Sequence, residues 1–550
     1  MKCGRLIDAF LIILICVTTV GAYFIPSNIS PDASEAAFLS HFNEFIPRLM
    51  NRYDIPGCSL AIVKDGELFW YGSFGCSDRD KGIPLTSRDP FRVQSISKSV
   101  TAWGVMKLVE DGRVELDTPI SNYIDISGFI IENNYLESVT IRQLLTHTSG
   151  LPLGDVFTIY PPGSKMPSLK DKLLEEVVIR TEPGSTFYYS NTGYNLMELL
   201  IEEVTGRSFS EYMESEILIP LGMTQSTYDL SKSMIPYLPT GYTISGNPVP
   251  PYVYPEKASG GLLSTNRDLA KFMIASMGAD SRGNYILDDA TIAAMHLPQV
   301  SDLGIYSLVF DAYGLGHYVE ELPNDKTSIS HGGQGTGIMT HMQFVPESGD
   351  GIIILTNSQR SWPFISYLLR DWAVWRGFDP LGMNKIIIGE QLLFGLVGSV
   401  WAVILFQAKK TIGLFKFANT DHENLNKTKC CFLILMATTI LVVLSWCLDQ
   451  RYLLITTLFP TASFQLGIAL FIFSIVTKTR AIITCRDKIK KLMRGDYMKP
   501  ERGSSEILNI GTLISLFTGI GIVIGALTNN ITMWLYIGAG VGVIVGVLLR

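Results

Sequence analysis

Histidine and cysteine are scarce in this chain, at 7 and 8 residues in 550. The histidines at 41, 296, 317, 341 and 422 are scattered without the spacing of a metal-ligand set, so neither a metal nor a cofactor is expected. The cysteines exclude a disulfide framework. Cys3, Cys16, Cys430, Cys431, Cys447 and Cys485 lie in or beside apolar segments, leaving Cys58 and Cys76 in the polar body of the chain. A turn at Lys64-Asp65-Gly66 puts those two out of register across a hairpin, and two free thiols are the simpler expectation. Basic excess is missing as well: 44 Lys and Arg stand against 51 Asp and Glu, a net charge of -7, which argues against a nucleic-acid partner.

Apolar sequence, by contrast, is plentiful and unevenly placed. Residues 6–24 are mostly apolar and follow Lys2 and Arg5, the pattern of a signal peptide or N-terminal anchor over 1–24. Beyond Asn384, apolar runs recur at about 386–407, 430–448, 452–477, 507–527 and 531–549, each near the roughly 20 residues that cross a bilayer. Basic residues crowd into the segments 408–429 and 478–506, which are therefore expected on the cytoplasmic side. Starting from an exported N-terminal body, five spans put both basic segments and Arg550 inside. The sequence thus predicts a domain over 25–380 outside a cell membrane and a multi-pass helical domain over 381–550 in contact with membrane lipid.

The exported body reads as a mixed α/β domain. Apolar residues at helical spacing over 34–53 (Phe38, Phe42, Phe45, Ile46, Leu49) predict an amphipathic helix that Pro56-Gly57 ends. Ser59–Val63 and Leu68–Phe74 predict a hairpin, and strand signals return at 327–330, 338–345 and 351–355 before an aromatic-rich helix from Trp362 to Trp375. Two strands early and three late predict one sheet, with a helical region inserted between its halves.

Three short motifs carry chemistry. Ser95-Ile96-Ser97-Lys98 opens a helical pattern, and its i, i+3 spacing stacks the hydroxyl and the amine on one face. A serine hydroxyl is a weak nucleophile without an adjacent base, and burial of Lys98 would lower its pKa and make it one. Tyr189-Ser190-Asn191 offers a phenol that relays a proton and an amide that orients a substrate. His331-Gly332-Gly333-Gln334 follows a strand signal; its glycines are expected to let a substrate backbone approach, and the Gln334 amide to serve as an oxyanion donor beside the Ser95 amide.

In this order and at these separations the motifs resemble those of the serine β-lactamases and penicillin-binding proteins: S-x-x-K, Y-x-N or S-x-N, then K-T-G. The stretches Leu144–Pro152 and Ala258–Leu262 are also typical of that family, and the resemblance covers about residues 35 to 378. Tyr189 makes it similar to the class C branch and its esterase and D-aminopeptidase relatives. The resemblance implies a β-lactamase/transpeptidase-like fold, an antiparallel sheet flanked by helices plus a helical subdomain, ahead of the transmembrane bundle. It implies Ser95 as acylated nucleophile, Lys98 and Tyr189 as shared base, and Asn191, His331, Gly333 and Gln334 around the substrate and oxyanion. It also implies a structural role for the loop holding His147. The departure is His331, where the family pattern has lysine. A histidine is only partly charged near neutral pH, which moves the expectation from β-lactamase towards an esterase or peptidase acting on a small-molecule or peptide substrate. The alternative is a sensor of β-lactam or cell-wall peptide with little turnover.

Overall fold

The computed structural model describes residues 25–493, except 28, 130–134, 157, 232–233, 279–285, 324, 379, 417–426 and 451–452. The N-terminal apolar run and the expected spans at 507–527 and 531–549 lie outside the described residues. Two compact units result, divided near Ile387.

The unit Pro26–Ile387 is built on an eight-stranded antiparallel sheet. Its strands are β1 (Gly57–Lys64), β2 (Glu67–Asp78), β3 (Ile83–Pro84), β8 (Ala312–Tyr313), β9 (Tyr318–Leu322), β10 (Lys326–Gly335), β11 (Ile338–Val345) and β12 (Asp350–Thr356), in the order β3-β2-β1-β12-β11-β10-β9-β8. Early and late strands meet where β1 pairs with β12, Leu60 opposite Ile354. Two small ribbons, β4 (Phe91–Arg92) with β7 (Leu263–Ser264) and β5 (Gly241–Tyr242) with β6 (Pro248–Val249), lie in the long insertion between β3 and β8.

The β1–β2 hairpin turns at Asp65 and Gly66, both at positive φ, as the two-residue connection requires. Cys58 pairs with Phe74, so Cys76 sits past it, and both thiols are free. The sheet is covered on both faces, which explains why β12 reads as an unbroken apolar run. Ala61, Val63, Ile353 and Leu355 point into one core with the helices Ile96–Glu110 and Asn266–Ser276. Their alternating neighbours Leu60, Ile62, Ile352 and Ile354 are equally buried and point to the opposite face. On the outer side the helix Glu35–Tyr53 is capped by Ser34 and packs on Trp362–Trp375: Phe38 stacks on Trp375 at 3.9 Å, and His41 Nε2 meets the buried Asp371 at 2.7 Å. Asp54 in the left-handed region ends that first helix, ahead of the Pro56-Gly57 stop expected from sequence.

Two further differences from the sequence pattern concern strands. β10 runs to Gly335, so the His331–Gln334 motif lies within a strand and not after one. β8 and β9 have no counterpart among the expected elements.

Among the described residues of the C-terminal unit, three helices are long and apolar enough to cross a membrane, Asn384–Thr411, Lys429–Asp449 and Pro460–Thr484. The last begins at Pro460, because proline suits a helix start, and a separate short helix Leu454–Leu458 precedes it. The apolar run expected over 452–477 is therefore divided by a helix boundary at Pro460. Trp401, Val397 and Ile404 pack on Ala469, and Thr477 donates to Gln407 at 2.8 Å, an interhelical bond of a kind used where water is absent.

Trp103, fully buried on the helix Ile96–Glu110, meets Phe272 edge-on at 5.4 Å. Trp103→Ala is expected to lower stability by about 3–5 kcal/mol, seen as a lower midpoint when the detergent-solubilised protein is unfolded thermally.

Candidate functional site

The site begins at a bend. Gln94 has φ 53, a left-handed conformation that costs a non-glycine residue on the order of 1–3 kcal/mol. The surroundings hold it there. Val93 N donates to Leu262 O at 3.0 Å, Thr340 Oγ1 donates to Val93 O at 2.7 Å, and Gln94 Nε2 donates to Tyr252 Oη at 3.0 Å. The chain then enters the helix Ile96–Glu110 with Ser95 as its N-cap residue. The amides of Ile96, Ser97 and Lys98 turn back to the carbonyls of Val93, Gln94 and Ser95.

Lys98 is fully buried one turn along. Its Nζ lies 3.2 Å from Ser95 Oγ and donates to Ser259 O at 2.7 Å. The Ala258–Leu262 stretch thus supplies the acceptor that anchors the amine. Nζ also sits 5.1 Å from the centroid of the Tyr189 ring and 5.6 Å from that of Tyr194. The rings favour a cation, but loss of water dominates and pushes the amine well below the usual lysine range.

Tyr189 reaches the same point from the other side. Its side chain hydrogen-bonds Ser95, and burial pushes its phenol well above the ordinary tyrosine value, only partly offset by that bond. It is therefore a neutral phenol at physiological pH. Asn191 is the first residue of the helix Asn191–Thr205, whose cap Ser190 accepts from Gly193 N at 2.9 Å and donates to Pro152 O at 2.6 Å. Asn191 Oδ1 is buried with no hydrogen-bond partner among the described residues.

The Tyr189 loop is gripped by His147, a residue the motifs alone assign no contact. Its carbonyl accepts from Tyr188 N at 2.7 Å and its Nδ1 accepts from Ser190 N at 3.1 Å, while its ring lies 4.3 Å from that of Tyr189. An acceptor Nδ1 requires the neutral tautomer. Burial, with Lys98 and His331 adding to it, holds the imidazole well below its ordinary pKa. Like Gln94, His147 has positive φ.

The third motif faces both. His331 is buried on β10, its ring 6.3 Å from Tyr189. Nδ1 bonds Gly332 O at 2.8 Å and Nε2 contacts Tyr313 Oη at 3.4 Å. Burial first, then the nearby Lys98, depresses its pKa to about 3. The partial charge expected near neutral pH is thus absent: this imidazole is neutral.

The glycines of β10 also have a use that the motif alone does not show. A Cβ on Gly333 would collide with Thr340 Oγ1 and Val93 O, and one on Gly335 with the Gln94 side chain. Both glycines make room for the bend before Ser95. Alternation along β10 sends the Gln334 side chain the other way, where its Oε1 accepts from Trp362 Nε1 at 3.0 Å. Only its backbone is left to face the site. Tyr306, stacked on Tyr189 at 5.9 Å, and Leu308 form an exposed apolar rim nearby; no sequence signal singles them out.

The architecture is that of the class C β-lactamases: one such enzyme matches at a TM-score of 0.50 with 21% identity, over 60% of this chain and 93% of its own. A penicillin-binding protein homologue from Pyrococcus abyssi, described as octameric, superimposes with a TM-score of 0.55 and 28% identity, over 64% of this chain and 81% of that one. Among sequences, protein flp of Staphylococcus aureus is 24% identical over 77% of this chain and 89% of its own length. Penicillin-binding protein 4 of Amycolatopsis lactamdurans is 27% identical over 60% of this chain and 88% of its own. The β-lactamase family model matches residues 42–370, and the chain belongs to that family.

Because Gly333 touches the segment leading to Ser95, Gly333→Ala is expected to cost about 1–3 kcal/mol by overpacking. Covalent labelling of Ser95 by a fluorophosphonate should slow with it, measured as the rate of fluorescent adduct formation.

Proposed function

We propose that this protein is a membrane-anchored serine hydrolase that works through an acyl-Ser95 intermediate on ester or amide substrates. The observation that carries this reading is a serine hydroxyl within hydrogen-bond reach of a buried, water-deprived lysine amine and a neutral phenol. Lys98, in its neutral form, takes the Ser95 proton as Oγ bonds to the substrate carbonyl carbon. The negative charge on the carbonyl oxygen is met by the Ser95 and Gln334 backbone amides. As the carbon–heteroatom bond breaks, the leaving group takes the proton back through Lys98 and Tyr189. Water then attacks the acyl carbon and gives a proton to the same base, and as the acyl–Oγ bond breaks that proton returns to Ser95 Oγ, leaving the free acid and a neutral base. Asn191 Oδ1, unpaired among the described residues, accepts an N–H of an amide substrate.

His331 narrows the substrate class. Both its nitrogens are engaged within the protein and the ring is uncharged, so this position offers no cation to a substrate carboxylate. That favours esters and peptides whose acyl group lacks a carboxylate there over β-lactams. The catalytic unit is proposed to span 25–380 and to lie outside the cell membrane, with 381–550 as its multi-pass anchor.

Incubation of the detergent-solubilised chain with a fluorophosphonate or a penicillin-type probe should label Ser95. Labelling should vanish in Ser95→Ala and slow by roughly 10²–10⁴ in Lys98→Ala, with a smaller loss in Tyr189→Phe. Undiminished labelling in Ser95→Ala would remove the nucleophile from this reading. Turnover of short-chain esters and D-amino-acid peptides separates an enzyme from a sensor, since a stable adduct without product release marks the sensor.

The pH dependence has a definite sign. The base works when neutral, and burial lowers the Lys98 pKa, so the labelling rate should hold well below the ordinary lysine range and fall as pH drops through the depressed value. That acid limb should be absent in Lys98→Ala.

Orientation is tested separately on intact cells with a membrane-impermeant maleimide. A cysteine at Lys326→Cys should react and one at Arg502→Cys should not; the reverse pattern would invert the topology.

A further inference from the structure

One buried carboxyl group close to the site has no part in the chemistry just described. Glu198 lies two turns along the helix that Asn191 begins and is 3% exposed. Its Oε2 accepts from Lys257 N at 2.6 Å and from Ala258 N at 2.8 Å. Burying a carboxyl group is costly unless it is hydrogen-bonded, and here both bonds go to one tight turn. The amides of Gly260 and Gly261 fold back on Lys257 O at 3.3 and 2.7 Å, and a Cβ on Gly261 would press on Lys257 Cα at 2.7 Å.

That turn presents Ser259 O, the carbonyl that accepts from Lys98 Nζ. A second tether reaches it from the nucleophile's own helix, where Thr101 Oγ1 donates to Ala258 O at 2.9 Å. The connection is continuous: Glu198 and Thr101 hold the turn, the turn holds Lys98, and Lys98 faces Ser95.

We propose that Glu198 is a positioning residue, which fixes the 257–259 turn so that the Ser259 carbonyl aims the Lys98 amine at Ser95 Oγ. The inference rests on the acyl-Ser95 reading above. It makes a distinct claim, because Glu198 touches neither Ser95 nor Lys98 in any bond described.

The form of the carboxyl group sharpens the test. Burial pushes its pKa up to about 8, against the two amide bonds that lower it; the charged or titratable groups facing it are Lys257, Glu202 and, from a separate segment, Tyr228. Near neutral pH the group is largely the uncharged acid, acting as an acceptor. A glutamine can supply the same acceptor oxygen at the same length.

The experiment measures Ser95 labelling by a fluorophosphonate in the detergent-solubilised full chain, for the unsubstituted protein, Glu198→Gln, Glu198→Ala and Thr101→Val, with each fold checked by circular dichroism. Glu198→Gln should stay within about threefold of the parent rate. Glu198→Ala should slow the maximal rate by on the order of 10- to 100-fold, the scale of a small misplacement of a catalytic group, with the half-saturating probe concentration unchanged. Its acid limb should move to lower pH, because a weakened carbonyl contact no longer favours the charged amine. Thr101→Val should fall between the two.

A parent rate in a folded Glu198→Ala, or equal slowing in Gln and Ala, overturns the proposal while leaving Ser95 as nucleophile. Should Glu198→Ala fail to fold, Thr101→Val decides, and a parent rate there overturns it. No labelling in the unsubstituted protein overturns the acyl-Ser95 reading and this inference together.

Discussion

The structure turns on keeping one lysine amine away from water. Lys98 is fully buried, and an isolated ammonium in such a place is so costly that the group sheds its proton instead. Everything near it serves that condition. The helix carrying it is wedged between the sheet and the helical insertion, with the rings of Tyr189 and Tyr194 beside the amine and the Ser259 carbonyl as its acceptor. A solvated lysine at the same spacing from Ser95 would be a permanent cation and no base at all. The i, i+3 spacing brings the two groups together, but the burial decides what they do.

The environment has a consistent electrostatic character. His147, His331 and His341 are all buried, and desolvation holds each imidazole neutral. Had any of them been charged, it would disfavour a charge on Lys98. Their uncharged state leaves the Lys98 amine without a neighbouring imidazolium. The phenol of Tyr189 is pushed the other way, upward, so it also stays neutral and can donate a proton without competing for one. Two kinds of titratable group are thus moved in opposite directions by the same loss of water.

Much of this was legible in the sequence, for reasons that can be named. Ser95–Lys98 was readable because helical spacing is local; the β1–β2 hairpin was readable because Asp65-Gly66 supplies the positive φ its turn needs. The three motifs were readable only jointly, since no single one is specific. What escaped was whatever depends on tertiary contact. The end of β10 was misplaced because its glycines suggest a loop, whereas Gly333 and Gly335 are there to receive the Val93–Gln94 bend. β8 and β9 are too short and too mixed in polarity to show a period. The grip of His147 on the Tyr189 loop joins positions 43 residues apart, and that of Glu198 on the Lys257 turn joins positions 59 apart, distances over which no pattern in a single sequence points from one to the other.

The strain next to Ser95 follows from the same constraint. To place Ser95 at a helix N-terminus against β10, the chain must reverse within one residue, and Gln94 is forced to positive φ. A glycine would adopt that conformation without penalty. It would also lose the side chain that bonds Tyr252 and fills the space above Gly335. Glutamine at 94 with glycine at 335 is therefore one solution split between a bend and a strand: the bulk sits on the bend, and the gap sits on the sheet. Exchanging them would relax the backbone at 94 but leave the bend unanchored, and the Ser95 hydroxyl would lose its fixed approach to Lys98.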